Sequence, residues 1–232
     1  MFYQRLRERE EGSNPIQVGL IAAGTFGTQI SAQMAAATGM RLAAIAELKP
    51  QKALRAYNLS GIKPDQIENA ETTAAIDEAM AAGRYAITRS TQALIESRVD
   101  VVIEATGSVE AGAGHARAAI AGGKHVVMVT VEADVVVGYQ LNKLAKEAGV
   151  LYSAAYGDEP SIALSLWDWA RSLGFRVVAA GKGTRFNTSF RKANPDDVPK
   201  MYGFTGEDYN AQMFGSFLDG TKHAIEMACL AN

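Results

Sequence analysis

The chain has 232 residues, a formal net charge of −2 and charged residues at 21% with both signs interspersed. That length can bury the core of one α/β domain plus a smaller second region, and the charge balance offers no basic face for nucleic acid or an anionic membrane. A single cysteine, Cys229, excludes an internal disulfide, and its apolar surroundings from Ala224 to Leu230 read as those of an inert core thiol. No apolar run is long enough to span a bilayer and the start does not read as a signal peptide, so the cytoplasm is the expected location.

Residues 1–14 carry Arg5, Arg7, Glu8, Arg9, Glu10 and Glu11 and read as a short solvated helix. The run Val18-Gly19-Leu20-Ile21 then reads as a buried strand that turns sharply at Gly24, with a helix pattern following at once. Such a turn leaves free backbone N–H groups at the positive end of a helix, where a pyrophosphate can sit. Gly24 would let a cofactor approach the backbone beside Thr25 and Phe26, and Gly27 would let the helix pack on the strand; Ala22 stands where a G-x-G-x-x-G pattern has its first glycine. Arg41 to Ala46 reads as a second strand ending at Glu47, an acid placed to accept hydrogen bonds from an adenosine ribose.

Farther along, Gln51 to Tyr57 reads as helix, broken by Ser60-Gly61-Ile62-Lys63-Pro64, and Glu71 to Ala82 as helix stopped by Gly83. Strands are expected at Tyr85–Thr88, Asp100–Glu104, His125–Val129 and Val150–Ser153, with helices at Ser90–Ser97, Ser108–Ala121 and Tyr139–Ala148 between them. This alternation implies a doubly wound parallel sheet of the Rossmann type over residues 15–155. The polar loops Gly24–Gly27, Ala105-Thr106-Gly107, Thr130–Asp134 and Tyr156–Pro160 all follow strands, at the edge where ligands bind in such sheets. Beyond residue 155 the pattern changes to a helix from Pro160 to Leu173, a strand from Phe175 to Ala180, an irregular stretch from Gly181 to Asn210 and a closing helix from Gln212 to Ala231. Residues 156–232 are expected to form a partial α+β catalytic and oligomerisation region, and a homo-oligomer is expected.

The run Val18 to Gly27, the run Val101 to Gly107 and a strand ending near residue 154 resemble homoserine dehydrogenase and its relatives, and the resemblance continues through Tyr156-Gly157-Asp158-Glu159-Pro160, Gly183-Thr184 and Gly220. The wording of Val131-Glu132-Ala133-Asp134, Ala155-Tyr156-Gly157-Asp158, Val177 to Thr184 and Phe217 to Lys222 is more similar to a bacterial group within that superfamily, the deoxyxylulose-phosphate-reductoisomerase-like enzymes. Members of that group continue beyond this chain's end, so the second region is expected to be shorter than theirs. The resemblance implies an NAD(P)-dependent oxidoreductase acting on a small molecule, with a phosphorylated sugar, 1-deoxy-D-xylulose 5-phosphate, as the substrate of the closer group and 2-C-methyl-D-erythritol 4-phosphate as its product. Where homoserine dehydrogenase has an aspartate and, four residues on, a lysine, this chain has Lys222 and Glu226, an exchange of charges that would change which substrate group is held and counts against homoserine itself. A dehydrogenase for homoserine or another polar hydroxy or sugar acid is the alternative reading. An inactive dinucleotide-binding sensor is another.

The chemistry of that family sets the remaining expectations. Lys182, Lys222, Asp219 and Glu226 are the catalytic candidates, Lys182 because a Gly-Lys-Gly-Thr turn after a strand exposes its amine to a phosphate or a developing alkoxide. Rearrangement of a hydroxyketone benefits from a divalent cation, Mg²⁺ or Mn²⁺, for which Glu132, Asp134, Asp158 and Glu159 are candidate ligands on two loops. Asp134 and Asp158 could equally cap helices. Asp158, Glu159, Arg185, Lys192 and Asn194 are candidate substrate contacts, with Arg191 and Asn187 nearby. Glu47 favours NAD(H) on electrostatics, whereas Lys49, Lys52, Arg55 and the resemblance favour NADP(H), the cofactor expected. The three histidines suggest no zinc spacing.

Overall fold

Near-continuous apolar runs such as Val18–Ile21 and Leu42–Ala46 have no polar face to give to water, and they fold as strands buried on both sides. The computed structural model describes residues 1–183, 188–201, 203 and 211–232, which divide into two compact units, 1–155 and 156–232. The first unit opens with the solvated helix α1 (Phe2–Glu11), which buries no residue. There follow β1 (Ile16–Ile21), α2 (Thr25–Met34), β2 (Met40–Ala46), α3 (Pro50–Leu59), β3 (Ile67–Asn69), α4 (Thr73–Ala81), β4 (Tyr85–Thr88) and α5 (Thr91–Glu96). The second half comprises β5 (Val101–Glu104), α6 (Val109–Ala121), β6 (His125–Met128), α7 (Val131–Ala148) and β7 (Tyr152–Ala154).

The seven strands run parallel in the order β3-β4-β2-β1-β5-β6-β7. This is the Rossmann-type α/β fold that the alternation of elements implied. Successive residues of a strand face opposite sides, so Leu20 packs with Ile45, Ile103 and Tyr57 in one core, while Ile21 packs with Val102, Val126 and Leu94 in the other. From β1 the chain passes to β2 beside it, out to the edge strand β3 and back to β4 between those two, then crosses to β5 on β1's other side and winds outward through β6 and β7. The carboxyl ends of β1 and β5 are therefore the topological switch point of the sheet.

The turn from β1 into α2 is unusually tight. Ala22 sits at φ +75°, the left-handed region that favours glycine, so the missing first glycine of the pattern has left its backbone shape behind. A Cβ on Gly27 would lie 2.1 Å from the Ala22 carbonyl oxygen.

Four readings are corrected. The short edge strand β3 was not anticipated; it follows a single 3₁₀ turn at Pro64–Gln66 that continues the Ser60–Pro64 break. The helix α7 begins at Val131 rather than Tyr139, so Glu132 and Asp134 stand in its first turn, where acids suit the helix dipole, and not in a loop. In the second unit, Phe175–Ala180 forms no strand: a strand needs a hydrogen-bonding neighbour, and none exists among the described residues. That unit is thus helical where described, with α8 (Glu159–Ser172), a 3₁₀ turn at Thr188–Lys192, and α9 (Val198–Met201). The closing helix is two, α10 (Ala211–Asp219) and α11 (Thr221–Ala231), because Gly220 adopts φ +88° between them. Both α10 and α8 pack against α11. Among the described residues no helix is long and apolar enough to cross a membrane.

The two glycines of the first turn separate packing from ligand access. Around Gly24 a Cβ would meet nothing within 4 Å. Gly27→Ala should therefore lower stability by about 1–3 kcal/mol through overpacking, while Gly24→Ala should stay within about 1 kcal/mol of the parent. Urea denaturation midpoints of the two variants check this.

Candidate functional site

Helix α2 begins with no side chain capping it: Gly24 is its N-cap, and the first intrahelical bond runs from the Thr28 N–H to the Gly24 carbonyl, 2.9 Å. The N–H groups of Thr25, Phe26 and Gly27 have no acceptor in their own helix. Thr25 and Phe26 are exposed and the space over Gly24 is open, so these amides face outward at the positive end of the helix dipole. Glu47 reaches this turn from the end of β2. Its Oε2 accepts the Ala23 N–H at 2.8 Å and its Oε1 the Lys49 N–H at 3.0 Å, which fixes a carboxylate beside the glycine turn. An outward-facing set of amides, room for an approaching group and an acid at the neighbouring strand end together fit the diphosphate and adenosine ribose of a dinucleotide. Lys49, Lys52 and Arg55 are exposed just beyond.

On the other side of the switch point lies Glu104, which sequence reasoning treated only as the end of a strand. It is fully buried. Its Oε2 accepts the Thr130 hydroxyl at 2.5 Å, and its Oε1 accepts the Thr106 N–H at 3.3 Å and His115 Nδ1 at 3.3 Å. The carboxylate has no proton to give, so His115 carries its hydrogen on Nδ1. The Thr130 hydroxyl in turn accepts the Gly107 N–H at 3.0 Å. The Ala105 N–H donates to the Ile21 carbonyl at 3.0 Å, which ties the same loop back to β1. Burial alone raises the Glu104 pKa, but the hydrogen bonds from His115, Thr106 and Thr130 outweigh it and hold the carboxyl below its ordinary 4.5. The sequence marked the loops that carry Thr106, Gly107 and Thr130, but for Glu104 itself the signal was an acid closing an apolar strand.

In the second unit, the carboxylates of Asp158, Glu159 and Glu226 gather within 4.8 Å of one another. Lys182 Nζ is ion-paired with both Glu159, at 2.8 Å, and Glu226. Glu226 is 1% exposed, and its Oε1 has no hydrogen-bond partner among the described residues; nor has the buried Nδ1 of His223, one turn earlier on α11. Asp158 stands at the N-cap of α8 without capping it. Its side chain turns instead to Glu159. Burial, then the hydrogen bond to Glu159, push Asp158 up to about 6, with Lys222 pulling the other way. The bond from Asp158, then that from Lys182, hold Glu159 down to about 2. Burial opposes the charge on Lys182, yet its bonds to Glu159 and Glu226 raise its pKa on balance.

The remaining candidates have other occupations. Asp219 Oδ1 accepts both the N–H, at 2.8 Å, and the hydroxyl, at 2.7 Å, of Thr221 at the start of α11. Asp134 accepts the Tyr152 hydroxyl at 2.7 Å, and neither it nor Glu132 belongs to the carboxylate group above. Lys192 is exposed at the end of its 3₁₀ turn, and Asn194 accepts the Asp196 N–H at 3.2 Å. Arg185 and Asn187 lie outside the described residues. Lys182 follows no strand, and it is the ion pairs that position its amine.

Because the folded pKa of Glu104 is depressed, its contribution to stability is present above the unfolded value and lost as pH falls through the folded one. Below about pH 4.5 the melting temperature should fall, and the fall should be shallower in Glu104→Gln. Thermal melts between pH 7 and pH 3 measure it.

No curated protein matches. Among solved structures, the chain is similar to an oxidoreductase from Agrobacterium radiobacter in complex with NAD⁺, L-tartaric acid and magnesium, at 14% identity and a TM-score of 0.50 over 68% of this chain and 40% of that one. A probable dehydrogenase from Thermotoga maritima matches at 15% identity and a TM-score of 0.49, over 68% of this chain and 41% of that one. The scyllo-inositol dehydrogenase from Lactobacillus casei, solved with NAD(H) and scyllo-inositol, matches at 16% identity and a TM-score of 0.45 over 68% and 42%. These likenesses concern the fold, and the chain spans about two fifths of the length of those proteins. Residues 157–232 match the family model described as the catalytic domain of oxidoreductase DRL. Residues 23–154, more than half of the chain, match the model of the homoserine dehydrogenase NAD-binding domain, and the chain belongs to that family.

Proposed function

We propose that the protein is an NAD(P)-dependent oxidoreductase whose first unit binds the coenzyme and whose second unit handles the oxygen of a small-molecule substrate. The observation that carries this reading is the uncapped amide turn of α2 at the switch point, with Glu47 bonded to Ala23 beside it. A bound nicotinamide would supply the hydride; the chain's own residues must supply charge stabilisation and a proton. Lys182 stays cationic near neutral pH because Glu159 and Glu226 hold it so, and its N–H groups suit an oxygen that becomes negative as hydride arrives. Asp158, titrating at about 6 and hydrogen-bonded to Glu159, can take up and return a proton close to neutral pH within the same group.

For the coenzyme we favour NADP(H). The charge of Glu47 is partly offset by the two amides it accepts, and Lys49, Lys52 and Arg55 lie close by in sequence for a 2′-phosphate. For the substrate we favour a phosphorylated ketose, with 1-deoxy-D-xylulose 5-phosphate converted to 2-C-methyl-D-erythritol 4-phosphate. The match of residues 157–232 to the DRL catalytic domain supports it, as do the cations Arg191 and Lys192. Hard carboxylate oxygens with one buried oxygen unpartnered also suit Mg²⁺ or Mn²⁺, which Asp158, Glu159 and Glu226 would hold and which would polarise the hydroxyl and carbonyl oxygens of the ketose. One observation favours a second reading, a metal-free dehydrogenase for a polar hydroxy acid: Lys182 is already ion-paired with two of the three carboxylates and occupies the space between them.

The test is oxidation of NADPH, followed by its absorbance, with the ketose phosphate and with homoserine, each with and without Mn²⁺. Manganese-dependent turnover of the ketose phosphate is expected, and turnover of homoserine alone without metal overturns that substrate. Gly24→Asp should abolish coenzyme binding measured by calorimetry. Lys182→Met should lower kcat by about 10²-fold or more while that binding persists.

A further inference from the structure

Glu104 has no side-chain exposure, and it is held as a carboxylate. Taking a charge out of water is costly, and apolar replacement of buried charged groups is often neutral or stabilising. The hydrogen bonds that keep Glu104 ionised offset its burial, but stability alone is a weak reason to have an acid here. What the acid does is join loops. Through Oε1 it holds the Thr106 N–H, and through Oε2 and the Thr130 hydroxyl it holds the Gly107 N–H. One side chain thus fixes the loop after β5 at two successive amides and ties it to the start of α7. His115 on α6 donates to the same carboxylate. The helix makes room for it, since a Cβ on Gly112 would lie 3.0 Å from Oε2.

In a doubly wound sheet a dinucleotide lies across the switch point, with one mononucleotide over each half. The glycine turn and Glu47 belong to the β1–β2 half, which takes the adenosine and diphosphate. The loop Ala105-Thr106-Gly107 belongs to the β5–β6 half. We infer that Glu104 is a positioning residue for the nicotinamide half of the coenzyme, acting through Thr106, Gly107 and Thr130 and leaving the adenosine half untouched. The inference rests on the coenzyme reading above.

The experiment is titration calorimetry of the full chain with NADPH and NADH, and separately with ADP-ribose and its 2′-phosphate, which lack the nicotinamide ring. Glu104→Gln and Thr130→Val are compared with the parent and with Thr130→Ser, which keeps the bridging hydroxyl. Both disruptive variants should weaken the reduced dinucleotides about tenfold and leave the ADP-ribose affinities within about twofold; Thr130→Ser should behave as the parent. Melting temperatures show whether each variant is folded, and Thr130→Val, close to isosteric, carries the test if Glu104→Gln does not fold. Equal weakening of both ligand classes, or no weakening of either, overturns the inference. If the parent binds neither class, the coenzyme reading itself falls; parent binding with no difference among variants removes only the role of Glu104.

Discussion

Between the Ala22 carbonyl and the backbone of Gly27 there is no room for a methyl group, and much of the first unit depends on that approach. It brings the N-terminus of α2 down onto the end of β1, so that the amides of Thr25 and Phe26 emerge at the rim of the sheet instead of above it. A left-handed Ala22 is the local cost, of order 1–2 kcal/mol in backbone strain. The sheet order then does the rest. With β2 on one side of β1 and β5 on the other, Glu47 and the loop after Glu104 are delivered to opposite flanks of the same turn. No long-range reach of side chains is needed; parallel strands that end together place all three groups.

The two units hold buried carboxylates in opposite ways, and the contrast says what each is for. Glu104 is surrounded by donors on three elements, a hydroxyl, an amide and an imidazole, with both oxygens engaged. Such a group is rigid and spent; it can orient a loop but has little left to offer a ligand. Glu226, also buried, meets a flexible ammonium and keeps one oxygen without a partner among the described residues. A buried lone pair with nothing to accept is costly in a finished core, and it is reasonable only where something else arrives. The first arrangement is complete in itself; the second has an acceptor to spare, as the proposed function requires.

Most of the sheet was legible because parallel strands buried on both faces leave apolar runs that need no context. The glycine turn was legible for the same reason, and the pattern survived the loss of its first glycine because the backbone, not the residue type, is what the turn requires. What was hidden depended on partners distant in sequence. Glu104 meets Thr130 twenty-six residues later and His115 eleven later, and neither spacing is a motif. The start of α7 was masked by Val135-Val136-Val137, whose β-branched side chains weaken helical patterning although Glu132 and Asp134 mark its first turn. Phe175–Ala180 carries every local mark of a strand and is none, since propensity cannot supply a neighbour to pair with. The break at Gly220 was visible as a glycine but not as φ +88°.

The lysine in the second unit also bears on which reactions are open to it. An ammonium and a divalent cation cannot both lie among the carboxylates of Asp158, Glu159 and Glu226 in the positions that Lys182 now occupies. With the lysine in place, the group presents N–H donors to a single oxygen, which is all that reduction of a carbonyl demands. For a cation to enter, Lys182 would have to swing away, and Asp158, Glu159 and Glu226 would then hold an ion that could supply Lewis-acid polarisation to a rearranging ketose. Proton uptake bears on the same choice: Asp158 near 6 and Glu159 near 2 leave the group less negative when Asp158 is protonated, which favours the ammonium over the doubly charged ion. On the proposed function, the position of one flexible side chain, rather than any change of fold, would separate simple hydride chemistry from isomerisation followed by reduction.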